Sequence, residues 1–299
     1  MEKCMENFYE HLANAKTVAV AGDWHMNTER VNKVLTYVES KGVDVILHVG
    51  DFGYYPSLPG YEEYVSMITN RAKLHDYFVL FIDGNHEQYA SSGTPAYSSD
   101  AVLTRAGLND LRDTANEDGF VFITPRVVWA TRGATARLGT AGGKRGMSFL
   151  ACGGAGSINI EFEQMRRYWS INEQVTTEDV QRVKGGIERL GGGVDMMLTH
   201  DAPPTAPVPQ SRVQSSLSNV PARVLARAER SRANIADAVV AAKPRVLVHG
   251  HWHVRNDSKD VAVSATDGSE TFVVPRVLSL PDEFSQAKNV EFFSTEQFS

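Results

Sequence analysis

Thr17-Val18-Ala19-Val20-Ala21-Gly22-Asp23-Trp24-His25 is a short apolar run that stops at a glycine and then offers a carboxylate and an imidazole two residues apart. The same pattern returns along the chain. Val43 to Val49 leads into Gly50-Asp51, and Tyr77 to Ile82 leads into Asp83-Gly84-Asn85-His86-Glu87. Val194 to Leu198 leads into Thr199-His200-Asp201, and Arg245 to Val248 into Gly250-His251-Trp252-His253. Continuous apolar runs of this length read as strands buried on both faces.

Helical spacing fills the intervals. Asn27 or Thr28 caps a helix with Val31, Val34, Leu35 and Val38 on one face, ended by Gly42. A second amphipathic stretch runs from Gly60 to His75, and Pro221 to Ala242 reads as a long helix. Strand and helix alternate at βαβ spacing, so the sheet is mainly parallel. Open α/β sheets bind ligands in the loops at the carboxyl ends of their strands, where these polar residues stand.

The middle of the chain reads differently. Gln88 to Gly119 is polar, with a loop at Ser91 to Pro95 and a short helix at Asn109 to Asn116. Phe120 to Ile123 and Arg126 to Thr131 form a hairpin about Thr124-Pro125, and Met147 to Cys152 comes after a glycine-rich turn at Gly139 to Gly146. Together these predict a second, more antiparallel sheet. Ile160 to Trp169 and Thr177 to Leu190 read as helices, the second with Glu178 and Asp179 in its first turn. Asp201 to Gln210 holds four prolines and is a loop; Thr271 to Leu280 and Asn289 to Ser294 are the last strands. With no linker-like segment and no repeat, residues 1–299 are expected to form one domain.

Composition narrows the class. A chain of 299 residues, 42% hydrophobic and 22% charged, is ordinary for a globular protein with a sizeable core. A net charge of -6 gives no general drive toward long nucleic acid or an anionic membrane. The two cysteines, Cys4 and Cys152, are too few for a disulfide framework. Met1 to Lys16 lacks the apolar core of a signal peptide and no later run approaches a membrane span, so a cytoplasmic location is expected.

Asp23, His25, Asp51, Asn85, His200, His251 and His253 supply two carboxylates, one amide oxygen and four imidazoles. One bridging carboxylate, with Asp51 best placed, gives four protein bonds to each of two divalent ions and leaves room for water. Manganese, iron and zinc accept such a donor set, and manganese is favoured. Two ions hold a phosphoryl group for in-line attack by a hydroxide bridging them. His86, beside the ligands without being needed as one, is placed to protonate the leaving oxygen. Glu87 is expected to hold that imidazole's orientation and tautomer.

The order Asp23-x-His25, Gly50-Asp51, Gly84-Asn85-His86-Glu87, His200, Gly250-His251-x-His253 resembles the signature of the calcineurin-like metallophosphoesterases, over residues 22 to 253. Each element alone is common; five in order, each after a strand, are specific. The resemblance implies an α/β fold, a four-layer αββα sandwich of two mixed sheets flanked by helices. It implies Asp23, His25, Asp51 and His253 on one ion and Asp51, Asn85, His200 and His251 on the other. His86 would then be the proton donor or phosphate contact.

The protein Ser/Thr phosphatases of that superfamily carry Asp-Arg-Gly at the second motif, whereas Asp51 is succeeded here by Phe52-Gly53-Tyr54. The chain looks more like the small bacterial and phage phosphoesterases. A phosphodiesterase acting on nucleotides, cyclic ones included, is the leading expectation. A phosphomonoesterase, a nuclease and a non-catalytic metal-stabilised interaction module are the alternatives. The expected partner is a small phosphorylated substrate. Two stretches free of acidic residues, between Asp118 and Glu161 and between Asp201 and Glu229, suggest a basic rim. Arg132, Arg137 and Arg145 are its candidate substrate contacts, and Tyr54 is a candidate to stack on a base.

Overall fold

The computed structural model describes residues 2–89, 107–158, 170–208, 220–282, 284–285 and 289–298. The loop expected at Ser91 to Pro95 and the helix expected at Ile160 to Trp169 lie outside the described residues.

Two six-stranded sheets are built on one plan. In the first, β1 (Thr17–Ala21), β2 (Val45–His48), β3 (Phe78–Phe81) and β5 (Val127–Ala130) run parallel. Antiparallel β12 (Val290–Ser294) and β4 (Phe120–Phe122) flank them, in the order β12-β1-β2-β3-β5-β4. In the second, β7 (Met147–Cys152), β8 (Met196–Thr199), β9 (Val246–His249) and β11 (Thr271–Ser279) are the parallel core. Antiparallel β6 (Thr135–Leu138) and β10 (Asn256–Ser264) are its edges.

Side-chain alternation sorts the strands between layers. Val18, Val20, Val45, Leu47, Phe78, Leu80 and Val128 face Phe149, Ala151, Met196, Leu198, Val246, Val248 and Leu278 in one core between the sheets. Ala19, Ile46, Val79 and Trp129 face outward onto α2 (Thr28–Glu39) and α3 (Tyr61–Leu74). Leu150, Met197, Leu247 and Val277 face outward onto α4 (Thr177–Arg189) and α5 (Ala222–Ala242). The result is the αββα sandwich. Asn27 caps α2, its side chain accepting from the Arg30 N–H at 3.3 Å, a contact worth about 1 kcal/mol. Val31, Val34, Leu35 and Val38 are all buried against the sheet, at ~1.5–3 kcal/mol each.

Three features depart from expectation. The hairpin of β4 and β5 extends the first sheet, because Val79, Leu80 and Phe81 pair in parallel with Val127, Val128 and Trp129. A hairpin looks the same in sequence whichever sheet it joins. The second sheet is also as parallel as the first. Residues 2–14 form an additional helix, α1, whose Phe8 closes one end of the sandwich against Phe78, Phe120 and Phe122.

Candidate metal centre

Asp23 and His25 leave β1, Asp51 leaves β2, and Asn85 and His86 leave β3. His200 leaves β8, and His251 and His253 leave β9. Three loops of one sheet and two of the other therefore meet at a single edge of the sandwich. The backbone is bent to do this: His25, Asp51, His251 and His253 have φ of 47°, 53°, 65° and 53°. A non-glycine residue held there costs about 1–3 kcal/mol, and such residues cluster where geometry serves function. The glycines of the motifs admit the carboxylates. A Cβ on Gly84 would lie 2.1 Å from Asp51 Oδ1, and one on Gly250 would lie 2.2 Å from Asp23 Oδ1.

All seven expected ligands come together, with Asp51 central. Its Oδ2 lies 3.2 Å from His25 Nε2 and 3.2 Å from His200 Nε2. On one side, Asp23 Oδ2 is 3.3 Å from His253 Nε2, and the His25 and His253 rings are 5.2 Å apart. On the other, Asn85 Oδ1 is 3.1 Å from His200 Nε2, and the His251 ring is 5.1 Å from that of His200. Main-chain bonds lock the loops to the carboxylates. His86 N–H donates to Asp51 Oδ1 at 2.9 Å, and His251 N–H donates to Asp23 Oδ2 at 3.0 Å. His200 Nδ1 lies 2.8 Å from the Val49 carbonyl, to which it donates, so Nε2 faces the cluster.

The electrostatics call for a cation. Asp23 and Asp51 are 0% and 1% exposed, and Asp23 Oδ1 has no hydrogen-bond partner. Burial raises the Asp23 carboxyl above its ordinary range, and the Asp51 charge adds to this against the pull of His200. Burial also opposes ionisation of Asp51, but His200 and His86 outweigh it and hold that carboxyl well below its ordinary range. Burial disfavours a charged His200, yet Asp51 and Asp23 push its pKa up to about 10. A proton on His200 thus compensates the two carboxylates where a divalent cation would otherwise do so. Burial pushes His251 down to about 4, leaving it as the neutral imidazole that ligates metals. His25, Asp51 and His253 each offer a ligand atom within 4.8 Å of the others. The donor set and the unsatisfied Asp23 oxygen fit a metal centre.

Two neighbouring carboxylates support the cluster, the first in a different way from that expected. Glu87 is fully buried and accepts the N–H groups of Asp51 at 3.2 Å, Gly53 at 3.1 Å and Gly84. It braces the turn that presents Asp51 and does not hold the His86 imidazole. Burial and the Asp51 charge push its carboxyl up to about 8. Asp282 was not singled out by sequence reasoning, yet its Oδ2 lies 3.3 Å from His253 Nδ1 and orients that ring. The available signal was position, since Asp282 comes after β11, whose carboxyl end shares the site's edge. Trp24 Nε1–H donates to Asn289 Oδ1 at 3.2 Å and Trp252 Nε1–H to Asp201 Oδ1 at 2.9 Å, so both indoles wall the loops.

The four expected substrate contacts are not brought to the cluster. Arg132 is 3% exposed and its guanidinium is held by Asp83, Asp179 and the carbonyls of Asn172, Glu173 and Gln174. Arg137 lies toward the end of β6 that pairs with Met147, and Arg145 precedes β7 and binds Asp195 before β8. Both therefore stand at the amino ends of the parallel strands, across the sheet from the site. Tyr54 is buried, its ring 5.6 Å from Tyr61 and 6.2 Å from Phe81. The cationic run in the sequence carries no information about which end of a strand each arginine reaches.

Among solved structures the chain is similar to TT1561 of Thermus thermophilus, 8% identical over 94% of this chain and 100% of that one, with a TM-score of 0.45. It is similar to the calcineurin-like phosphoesterase YfkN from Bacillus subtilis, 11% identical over 90% and 82% of the two chains, TM-score 0.42. It is also similar to GAP50, the anchor in the inner membrane complex of Plasmodium, 10% identical over 94% and 78%, TM-score 0.42. No curated protein matches it in sequence. The sequence model of the calcineurin-like phosphoesterases matches residues 16–255, which hold all five motifs, and the chain belongs to that family.

Proposed function

We propose that this protein is a dinuclear phosphodiesterase acting on nucleotides, cyclic ones among them. The family's chemistry is metal-dependent hydrolysis of phosphoesters, and it implies a small phosphorylated substrate. The observation that carries the reading is Asp51 Oδ2 standing 3.2 Å from an imidazole on each side, the place of a carboxylate shared by two ions. Asp23, His25 and His253 would complete one ligand set, and Asn85, His200 and His251 the other. Divalent cations there, manganese first, would supply charge compensation at the phosphoryl oxygens and a nucleophile at neutral pH.

The chain's own groups do the rest. His86 is anchored through its N–H to Asp51, and its ring stands 5.6 Å from that of His25. From there it holds a proton for the leaving oxygen. The preference for diesters rests on the residue after Asp51. Phe52 is fully buried and stacked on Phe81 at 4.5 Å, so no cationic side chain occupies the position next to the shared carboxylate. A monoanionic diester needs less charge compensation than a dianionic monoester. The preference for nucleotides rests on Phe284, 61% exposed, two residues from Asp282, with the Arg30 guanidinium 5.2 Å from its ring centre. An exposed aromatic beside a cation is a platform for a base.

A turnover panel of cyclic nucleotides, linear diesters and monoesters on manganese-loaded protein tests this. Faster turnover of nucleotide diesters than of monoesters is expected, lost on chelation. Preference for monoesters would establish the phosphomonoesterase alternative, and no turnover of any ester with metal bound would leave the interaction module.

A further inference from the structure

A ligand amide must present its oxygen, not its nitrogen, to a cation, yet the two ends of an asparagine amide have nearly the same shape. The structure contains a device that distinguishes them. Asn85 Nδ2 donates to Ser157 Oγ at 3.0 Å, and Ser157 Oγ in turn donates to Glu173 Oε2 at 2.9 Å. The Ser157 N–H donates to the other oxygen, Glu173 Oε1, at 2.7 Å. Both Ser157 and Glu173 are buried. A serine hydroxyl has one proton, and here the carboxylate takes it. Ser157 Oγ can therefore only accept from Asn85, so the amide NH2 must face Ser157 and Oδ1 must face His200. A flipped amide would oppose two acceptors at Ser157 and aim two N–H groups into the ligand cluster.

Resting on the metal-centre reading above, we infer that Ser157 and Glu173 are positioning residues that set the polarity of Asn85 and so complete the second ion's ligand set. The carboxylate's negative charge, relayed through two hydrogen bonds, also makes the Asn85 oxygen a stronger donor to a cation. Glu173 is fixed for this task from behind. Ala155 N–H donates to its carbonyl at 3.0 Å, and Arg132 donates to that carbonyl at 2.9 Å and to those of Asn172 and Gln174 at 3.0 and 2.6 Å.

Manganese titration calorimetry on metal-free protein, paired with thermal melts of the same samples, tests the inference in Ser157→Ala, Ser157→Thr, Glu173→Gln and Asn85→Ala. Ser157→Ala and Glu173→Gln should weaken one of two binding steps about 10–100-fold. The other step should be unaltered, Ser157→Thr should keep near-normal affinity, and the metal-free melting temperature of Ser157→Ala should fall by no more than a few degrees, the cost of the buried groups it leaves unpaired. Glu173→Gln stands in if Ser157→Ala does not fold. If Asn85→Ala weakens manganese binding while Ser157→Ala and Glu173→Gln do not, the positioning role is wrong and the metal centre stands. If Asn85→Ala itself binds manganese normally, the ligand assignment fails and the positioning role fails with it. Affinity lost only in step with metal-free stability, without rescue by Ser157→Thr, also overturns it.

Discussion

Replacing Arg132 with methionine separates a structural guanidinium from a substrate-binding one. Arg132 Nε and Nη2 hold Asp83 Oδ2 at 3.0 and 2.7 Å, and Nη1 holds Asp179 Oδ2 at 2.8 Å. Asp83, Asp179 and Arg132 are all buried, and Asp83 Oδ1 has no hydrogen-bond partner. Methionine keeps much of the volume but removes the buried guanidinium from both carboxylates, leaving Asp83 the Tyr89 hydroxyl and Asp179 the half-exposed Arg182. Breaking a buried pair from one side costs about 3–5 kcal/mol. At about 2.1 cal/mol/K of unfolding entropy per residue, 299 residues give about 0.6 kcal/mol per degree. The variant should therefore melt about 5–8 °C lower by scanning calorimetry. With manganese saturating, so that any slackening of Glu173 behind Asn85 does not empty the site, its KM for a charged nucleotide diester should be essentially unchanged. An unaltered melting temperature with a raised KM would refute the placement and restore Arg132 to the substrate rim.

Three more outcomes are expected. His86→Gln should lower kcat about 10²- to 10⁴-fold while bound manganese, measured by elemental analysis, stays at the wild-type level; joint loss of metal and activity would make His86 a ligand instead. Asp282→Ala should weaken manganese binding about 10–100-fold in calorimetry by freeing the His253 ring, and unchanged affinity would remove Asp282 from the site. For Asp179, burial works to raise the carboxyl, but Arg132 outweighs it and pulls the pKa down to about 2. Against an unfolded value of about 3.9, this contributes about 2–3 kcal/mol that is present above pH ~4 and is lost as pH falls through ~2. Melts of metal-free protein across that window should show the loss, and Arg132→Met should show much less of it; equal slopes would contradict the pairing.

The ligands are legible because each combines an unusual side chain with a place at the end of an apolar run. Thr17–Ala21 and Met147–Cys152 announce themselves as strands because both their faces are buried. β10 does not, because Asn256-Asp257-Ser258-Lys259-Asp260 lies on a sheet edge where polar side chains face water. Arg132 reads as a surface cation because its partners Asp83 and Asp179 lie 49 and 47 residues away. Glu87 reads as a partner for its neighbour His86, yet its bonds go to the amides of Asp51 and Gly53 on another loop. Ser157 and Glu173 carry no motif at all; only the fold shows that their hydrogen bonds reach Asn85. What the sequence leaves out is pairing over distance, which depends on where strands and loops end up.

The central claim is that Asp51 serves two metal ions at once. Elemental analysis of manganese-loaded, desalted protein, with turnover of bis-para-nitrophenyl phosphate measured on the same sample, tests it most directly. Two equivalents per chain, falling together with activity on chelation and in Asp51→Asn, is the predicted result. Full turnover with one equivalent or none would contradict it.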